Sequence, residues 1–142
     1  MTQYKVKILS YNIQGKMTHK ATQSITKVSV LLRYMKENKY DIACIQETKS
    51  KQGEVLELVR RYCPEAQVIE SANMDNQNKG GVAVICINDK IKISKVLLDN
   101  ELDTKWSDAI VDGDKHKYEQ DSVTGKFMQI SFNFNDQIHH LV

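Results

Sequence analysis

Residues 5–12 alternate apolar and polar positions and close on Ile8 and Leu9, which predicts a first strand over Lys5–Asn12. The following stretch, 14–23, is polar and reads as a loop. Ile25, Val28, Leu31, Leu32 and Met35 then recur at the spacing of one helical face. Lys36, Asn38 and Lys39 give that helix its C-terminal end. Ile42–Ile45 is apolar on both faces, as a buried central strand requires. Val55, Leu58, Val59 and Tyr62 predict a second helix over Glu54–Tyr62, with the single proline, Pro64, just beyond it. Gln67–Ser71 reads as a short strand and Asn73–Lys79 as a polar loop ending at Gly80-Gly81. Val82–Ile87 and Lys90–Leu98 read as strands joined by an Asn88-Asp89 turn.

Residues 99–125 break the pattern: eight acidic residues, few aliphatics and no period predict a long loop or insertion, with Trp106 as an anchor to the body. Alternation returns in Phe127–Phe134, Asn135-Asp136 is a turn, and Gln137–Val142 starts another strand. The early βαβα order followed by consecutive strands argues for an α/β, or α+β, layered fold. In it, helices cover one face of a sheet whose later strands are antiparallel. The last strand reaches Val142 without a turn or cap, so a single domain interrupted in mid-strand is expected.

A chain of 142 residues with 41% hydrophobic and 27% charged residues is ordinary for one globular domain. No run approaches the ~18 apolar residues of a helical membrane span, and Met1–Lys5 lacks the apolar core of a secretory signal. Cys44, Cys63 and Cys86 form no Cys-x-x-Cys pair, and Cys44 and Cys86 sit in apolar runs, where a thiol packs as a small hydrophobe. A reducing, intracellular setting, cytoplasmic or nuclear, is expected. Charge is asymmetric: residues 1–98 carry 16 Lys+Arg against 9 Asp+Glu, and residues 99–142 carry 4 against 9. The basic part suits a polyanionic partner; an ordinary solvated surface accounts for it equally well.

Two strand ends carry candidate chemistry. Glu47 follows Cys44-Ile45-Gln46 at the C-terminal end of the central strand, the edge that ligand sites in open α/β sheets favour. A carboxylate there can be one ligand of a Mg²⁺ whose other ligands are water and substrate phosphate; the plainer reading is a surface glutamate. Asn12 ends the first strand, where an amide can bond a phosphate oxygen or orient a carboxylate; alternatively it is a turn residue before Gly15. Lys49 and Lys79 flank loops near the same edge and can meet phosphate as point charges. Gly80-Gly81 does not match a phosphate-binding Gly-x-x-x-x-Gly-Lys loop and reads as a tight approach to the next strand. His139 and His140, adjacent on a strand, face opposite ways and cannot easily share an ion.

Ser10-Tyr11-Asn12-Ile13-Gln14-Gly15, then Asp41-Ile42-Ala43-Cys44-Ile45-Gln46-Glu47-Thr48-Lys49, then Gly80-Gly81-Val82-Ala83-Val84-Ile85 together resemble the endonuclease/exonuclease/phosphatase superfamily. In flavour they are nearest the endonuclease domains of LINE-type retroelements and the apurinic/apyrimidinic endonucleases. The resemblance implies part of a DNase-I-like four-layer α/β sandwich and Mg²⁺-dependent phosphodiester hydrolysis, with Mn²⁺ as a substitute. It implies DNA as partner, a metal-ligating role for Glu47, an active-site role for Asn12 beside it, and Lys49 as a candidate phosphate contact. Members acting on other phosphoesters share these landmarks, so a substrate other than nucleic acid stays open, as does a degenerate binding module.

The resemblance covers about the first half of the superfamily's domain. No Asp-x-Asn occurs, since Asp75-Asn76 is followed by Gln77, and Ser107-Asp108 is followed by Ala109 where the motif needs histidine. The expectation is a chain inactive by itself, prone to self-association through apolar sheet surface left uncovered.

Overall fold

The computed structural model describes residues 5–14, 26–76, 78–96, 129–134 and 137–141. Among these residues, seven strands and two helices follow in the order β1 (Ile8–Asn12), α1 (Lys27–Glu37), β2 (Ile42–Gln46), α2 (Glu54–Tyr62), β3 (Gln67–Ser71), β4 (Val82–Cys86), β5 (Lys92–Val96), β6 (Gln129–Phe134) and β7 (Gln137–Leu141). The helix α2 and strand β3 have the bounds their patterns predict. β1 is shorter at its start than the alternation suggests, because residues 5–7 lead into the sheet without joining it as strand. The acidic stretch with Trp106, residues 127–128, the Asn135-Asp136 turn and Val142 lie outside the described residues.

The strands form two sheets, one ordered β1-β2-β4-β3 and the other β5-β6-β7. β1 and β2 are parallel, joined through α1, and all other pairs are antiparallel. Period-two alternation on β2 and β4 then separates two cores. Ala43, Ile45, Ala83 and Ile85 pack under Val28, Leu31, Leu32 and Met35 of α1 and Val55, Leu58 and Val59 of α2. Ile42, Val84 and Cys86 on the opposite face meet Ile91, Ile130, Phe132 and Phe134. Each fully buried aliphatic of this kind contributes about 1.5–3 kcal/mol. The second sheet thus covers the inner apolar face of the first. Four of the exposed large apolar groups lie on the edge strand β1 and on α1 beside it, at Ile8, Tyr11, Val30 and Tyr34; Tyr62, Met74 and Ile138 are exposed elsewhere.

Polar side chains fix the joints. Asp41 ties the N-terminal end of the parallel pair, accepting from Lys7 N–H at 2.8 Å and from Asn88 Nδ2 at 3.0 Å. Thr26 and Ser29 form a capping box at the start of α1, each side chain accepting from the other's backbone N–H at 3.1 Å. α2 starts at Gly53, in the left-handed region at φ 95°, with no side-chain cap of its own. Glu70 supplies one from β3: its Oε2 accepts from Val55 N–H at 3.1 Å. Gln52 binds the same strand twice, donating to Glu70 O and accepting from Ala72 N–H, both at 2.9 Å. The three free cysteines are packing groups: Cys63 is buried in the helix-side core and Cys86 in the inter-sheet core. Burial pushes the thiol of Cys44 up and that of Cys86 to about 11, which keeps both protonated and unreactive at neutral pH. His139 stacks on Phe132 with ring centroids 4.9 Å apart, a packing role that agrees with its strand placement. No helix among the described residues is long and apolar enough to cross a membrane.

Glu70 is buried and its Oε1 lacks a hydrogen-bond partner among the described residues. Burial raises its pKa above the ordinary carboxyl value, and the charge of Glu54 adds to this against the lowering effect of the α2 amides. A raised native pKa means the stabilising contribution is complete below the unfolded pKa and is lost as pH rises through the native one. Urea unfolding of wild type and Glu70→Gln at a series of pH values from 4 to 7 should therefore show the variant gaining on wild type as pH rises.

Candidate functional site

Asn12 and Glu47 come together because β1 and β2 are parallel and end at the same level. The register pairs Asn12 with Gln46, the residue before Glu47, and Ile13 N–H extends the ladder by one bond to Gln46 O at 3.0 Å. Adjacent strands lie about 4.8 Å apart, so both side chains start from one corner of the sheet. Asn12 is exposed and its Oδ1 accepts from Gln14 N–H at 3.1 Å, the local turn that its sequence position suggests. Lys27, which the pattern alone does not single out, holds the next turn in place: its Nζ donates to the carbonyls of Ile13 and Gln14 at 3.0 and 2.7 Å. A groove of about 680 Å³ opens beside Asn12, with Leu9, Tyr11, Val30 and Tyr34 among its walls.

On the other side of β2 the backbone departs from regular pairing. Gln46 lies opposite Val82, yet the next bonds run from Thr48 N–H to Gly81 O at 3.2 Å and from Lys49 N–H to Gly80 O at 2.8 Å. One extra residue has entered the β2 side, a β-bulge, a device that re-aims side chains and concentrates near active sites. Glu47 and Lys49, both half-buried, take left-handed backbone at φ 57° and 48°. Left-handed backbone is uncommon for residues other than glycine. Between them Thr48 is 1% exposed, and Ser50 is buried as well. Gly81 has φ 91°, and a Cβ there would come within 2.1 Å of Thr48 Oγ1, so only glycine fits against the buried threonine. The bond from Lys49 to Gly80 also brings Lys79 to the same rim. Thus the paired glycines do more than open a strand: they receive the bulge.

The donor set bears on what the corner can hold. Glu47 makes no hydrogen bond or ion pair to described residues. The described residues contain no group of three or more His, Cys, Asp or Glu side chains able to enclose a metal. A single carboxylate with a neighbouring carboxamide is compatible with Mg²⁺, which keeps several waters and takes one or two carboxylates. It does not suit an ion that needs a cage of protein ligands. His139 and His140, on the second sheet, are not part of this corner.

The architecture has counterparts in solved structures. An AP endonuclease from Archaeoglobus fulgidus matches with a TM-score of 0.51 at 20% identity, over 96% of this chain and 40% of its own. An endonuclease/exonuclease/phosphatase from Bacteroides vulgatus matches with a TM-score of 0.52 at 15% identity, over 95% of this chain and 50% of its own. No protein-family model and no curated protein matches the sequence. The chain shares the α/β fold of these structures, which is the DNase-I-like fold. The chain spans two-fifths to one-half of the length of these two structures, and its described residues supply a helix layer and two sheets.

The left-handed backbone at Glu47 gives a direct expectation. Such a conformation costs a non-glycine residue roughly 1–3 kcal/mol, and glycine surrenders about 0.5–1 kcal/mol of that advantage through its freer unfolded state. Glu47→Gly should raise the unfolding free energy by about 1 kcal/mol, while Glu47→Ala should not; chemical denaturation of the three proteins checks it.

Proposed function

We propose that this chain carries the metal-binding corner of a Mg²⁺-dependent phosphodiesterase of the endonuclease type, acting on DNA. The observation that carries this reading is the pairing of Asn12 with Gln46, which sets Asn12 beside a glutamate held on a bulge at the open end of a sheet. Glu47 would be the protein's ligand to Mg²⁺, or to Mn²⁺ in its place, with water and a phosphate oxygen completing the shell. When bound, the ion would offset the negative charge that develops on the phosphoryl oxygens during attack by water. Asn12 bonds a phosphate oxygen through its amide without adding charge, and Lys49 adds a cation within reach of the same group. The basic bias of residues 1–98 favours approach of a polyanion, and the reading puts the protein in the cytoplasm or nucleus, where its thiols stay reduced.

Magnitudes limit what this corner does alone. Enzymes of this kind lower barriers by about 8–23 kcal/mol, whereas one well-placed hydrogen-bond donor supplies about 2.7–4 kcal/mol. The described residues offer here one carboxylate, one amide and nearby lysines, and contain no group of three or more His, Cys, Asp or Glu side chains. That inventory favours a second reading for the 142-residue chain in isolation, a phosphate- or DNA-binding module with at most trace hydrolysis.

Pure protein should leave supercoiled plasmid intact in Mg²⁺ or Mn²⁺ yet bind it with an affinity that falls steeply between 50 and 200 mM salt. Rapid nicking that Glu47→Ala abolishes would overturn the view that the corner is insufficient; salt-insensitive binding, or none, would overturn the choice of DNA. The free side of β1, with Ile8 and Tyr11 exposed, also favours self-association. Analytical ultracentrifugation at micromolar concentrations should find species larger than the monomer, and Tyr11→Lys should shift them toward it.

A further inference from the structure

We infer that Thr48 and Gly81 are positioning residues for the Glu47 carboxylate, acting as a steric lock on the bulge that presents it. This rests on the reading of Glu47 as a metal ligand. Two strained residues flank Thr48, and nothing in the intrinsic preference of glutamate or lysine favours φ 57° or 48°. The surroundings must therefore impose the shape. Two backbone bonds, Thr48 N–H to Gly81 O and Lys49 N–H to Gly80 O, set the slipped register. Those bonds alone do not decide it, since regular pairing would offer the same number of partners. The deciding contact is the side chain of Thr48, 1% exposed and seated where a Cβ on residue 81 would stand, 2.1 Å from Oγ1.

The lock works in both directions. Thr48 occupies the space over Gly81 only when the extra residue is accommodated at Glu47. Relaxing the bulge would move Thr48 out of the protein interior and expose its methyl. A Cβ at 81 would meet Thr48 Cβ and Lys49 N only at ordinary contact, each at 3.4 Å, so the clash falls on the threonine hydroxyl. Glu47 and Lys49 are thereby held on either side of one buried anchor. Catalytic and binding groups need placement within about 0.5 Å to be effective, and a glutamate on an unconstrained loop would lack it. Thr48 touches neither metal nor phosphate in this account; it acts through Glu47.

Paramagnetic broadening tests this in the full 142-residue chain with Mn²⁺ alone as the probe. In wild type, Mn²⁺ should broaden the amide signals around Glu47 and Asn12 first, and Glu47→Gln should weaken that site at least tenfold. Gly81→Ala and Thr48→Ala should weaken it about fivefold or more while signals from α2 and β3 stay in place, and Thr48→Ser, which keeps the hydroxyl, should retain most of it. Thr48→Ala creates no clash and decides the matter if Gly81→Ala does not fold. Wild-type Mn²⁺ broadening in a folded Thr48→Ala protein would overturn the lock but leave Glu47 as ligand. Unchanged broadening in Glu47→Gln would instead overturn the metal reading on which the lock rests.

Discussion

The arrangement hangs on the burial of β2 from both sides. A strand with side chains alternating between two apolar environments cannot slip by one residue without exchanging every partner. Ala43 and Ile45 belong to the helix-side core, Ile42 to the core between the sheets. With β2 fixed, its parallel neighbour β1 and its antiparallel neighbour β4 are fixed in register as well. Asn12 from one and Gly80-Gly81 from the other are then delivered to the end of β2, where the chain leaves the sheet. Core packing therefore brings the parts of the candidate corner together, and the contact of Thr48 with Gly81 then sets the backbone within it.

This explains why the helices and central strands are legible in the sequence. Val28, Leu31, Leu32 and Met35 must face one way and β2 must be apolar on both faces, and hydrophobic pattern reports such demands directly. Asn12 and Glu47 are legible as strand ends. The roles of Thr48, Gly81, Lys27 and Glu70 are not legible, because each depends on an atom far along the chain. Threonine in a polar run gives no hint that it is buried. A glycine pair reads as turn chemistry until the side chain opposite is known. Glu70 lies within a predicted strand, and only the fold brings the bare amides of α2 to it.

The same separation between pattern and contact holds at the periphery. The inner face of the first sheet is covered by β5 and β6, and part of the apolar surface left uncovered lies on the edge strand β1. An edge strand of five residues with Ile8 and Tyr11 exposed and no proline has few of the features by which sheet edges avoid pairing. Lys5 and Lys7 at its approach oppose close association of like copies through charge, a weaker effect at physiological salt, where screening acts within about 8 Å.

The bulge also places position 47 in an unusual genetic situation. Glutamate and glycine codons differ by a single base, and glycine is the residue that the backbone at this position favours. A chain in which the carboxylate did not matter would thus be one base change away from a more relaxed backbone at this position. A glutamate here thus carries a conformational cost that one on an ordinary helix surface does not.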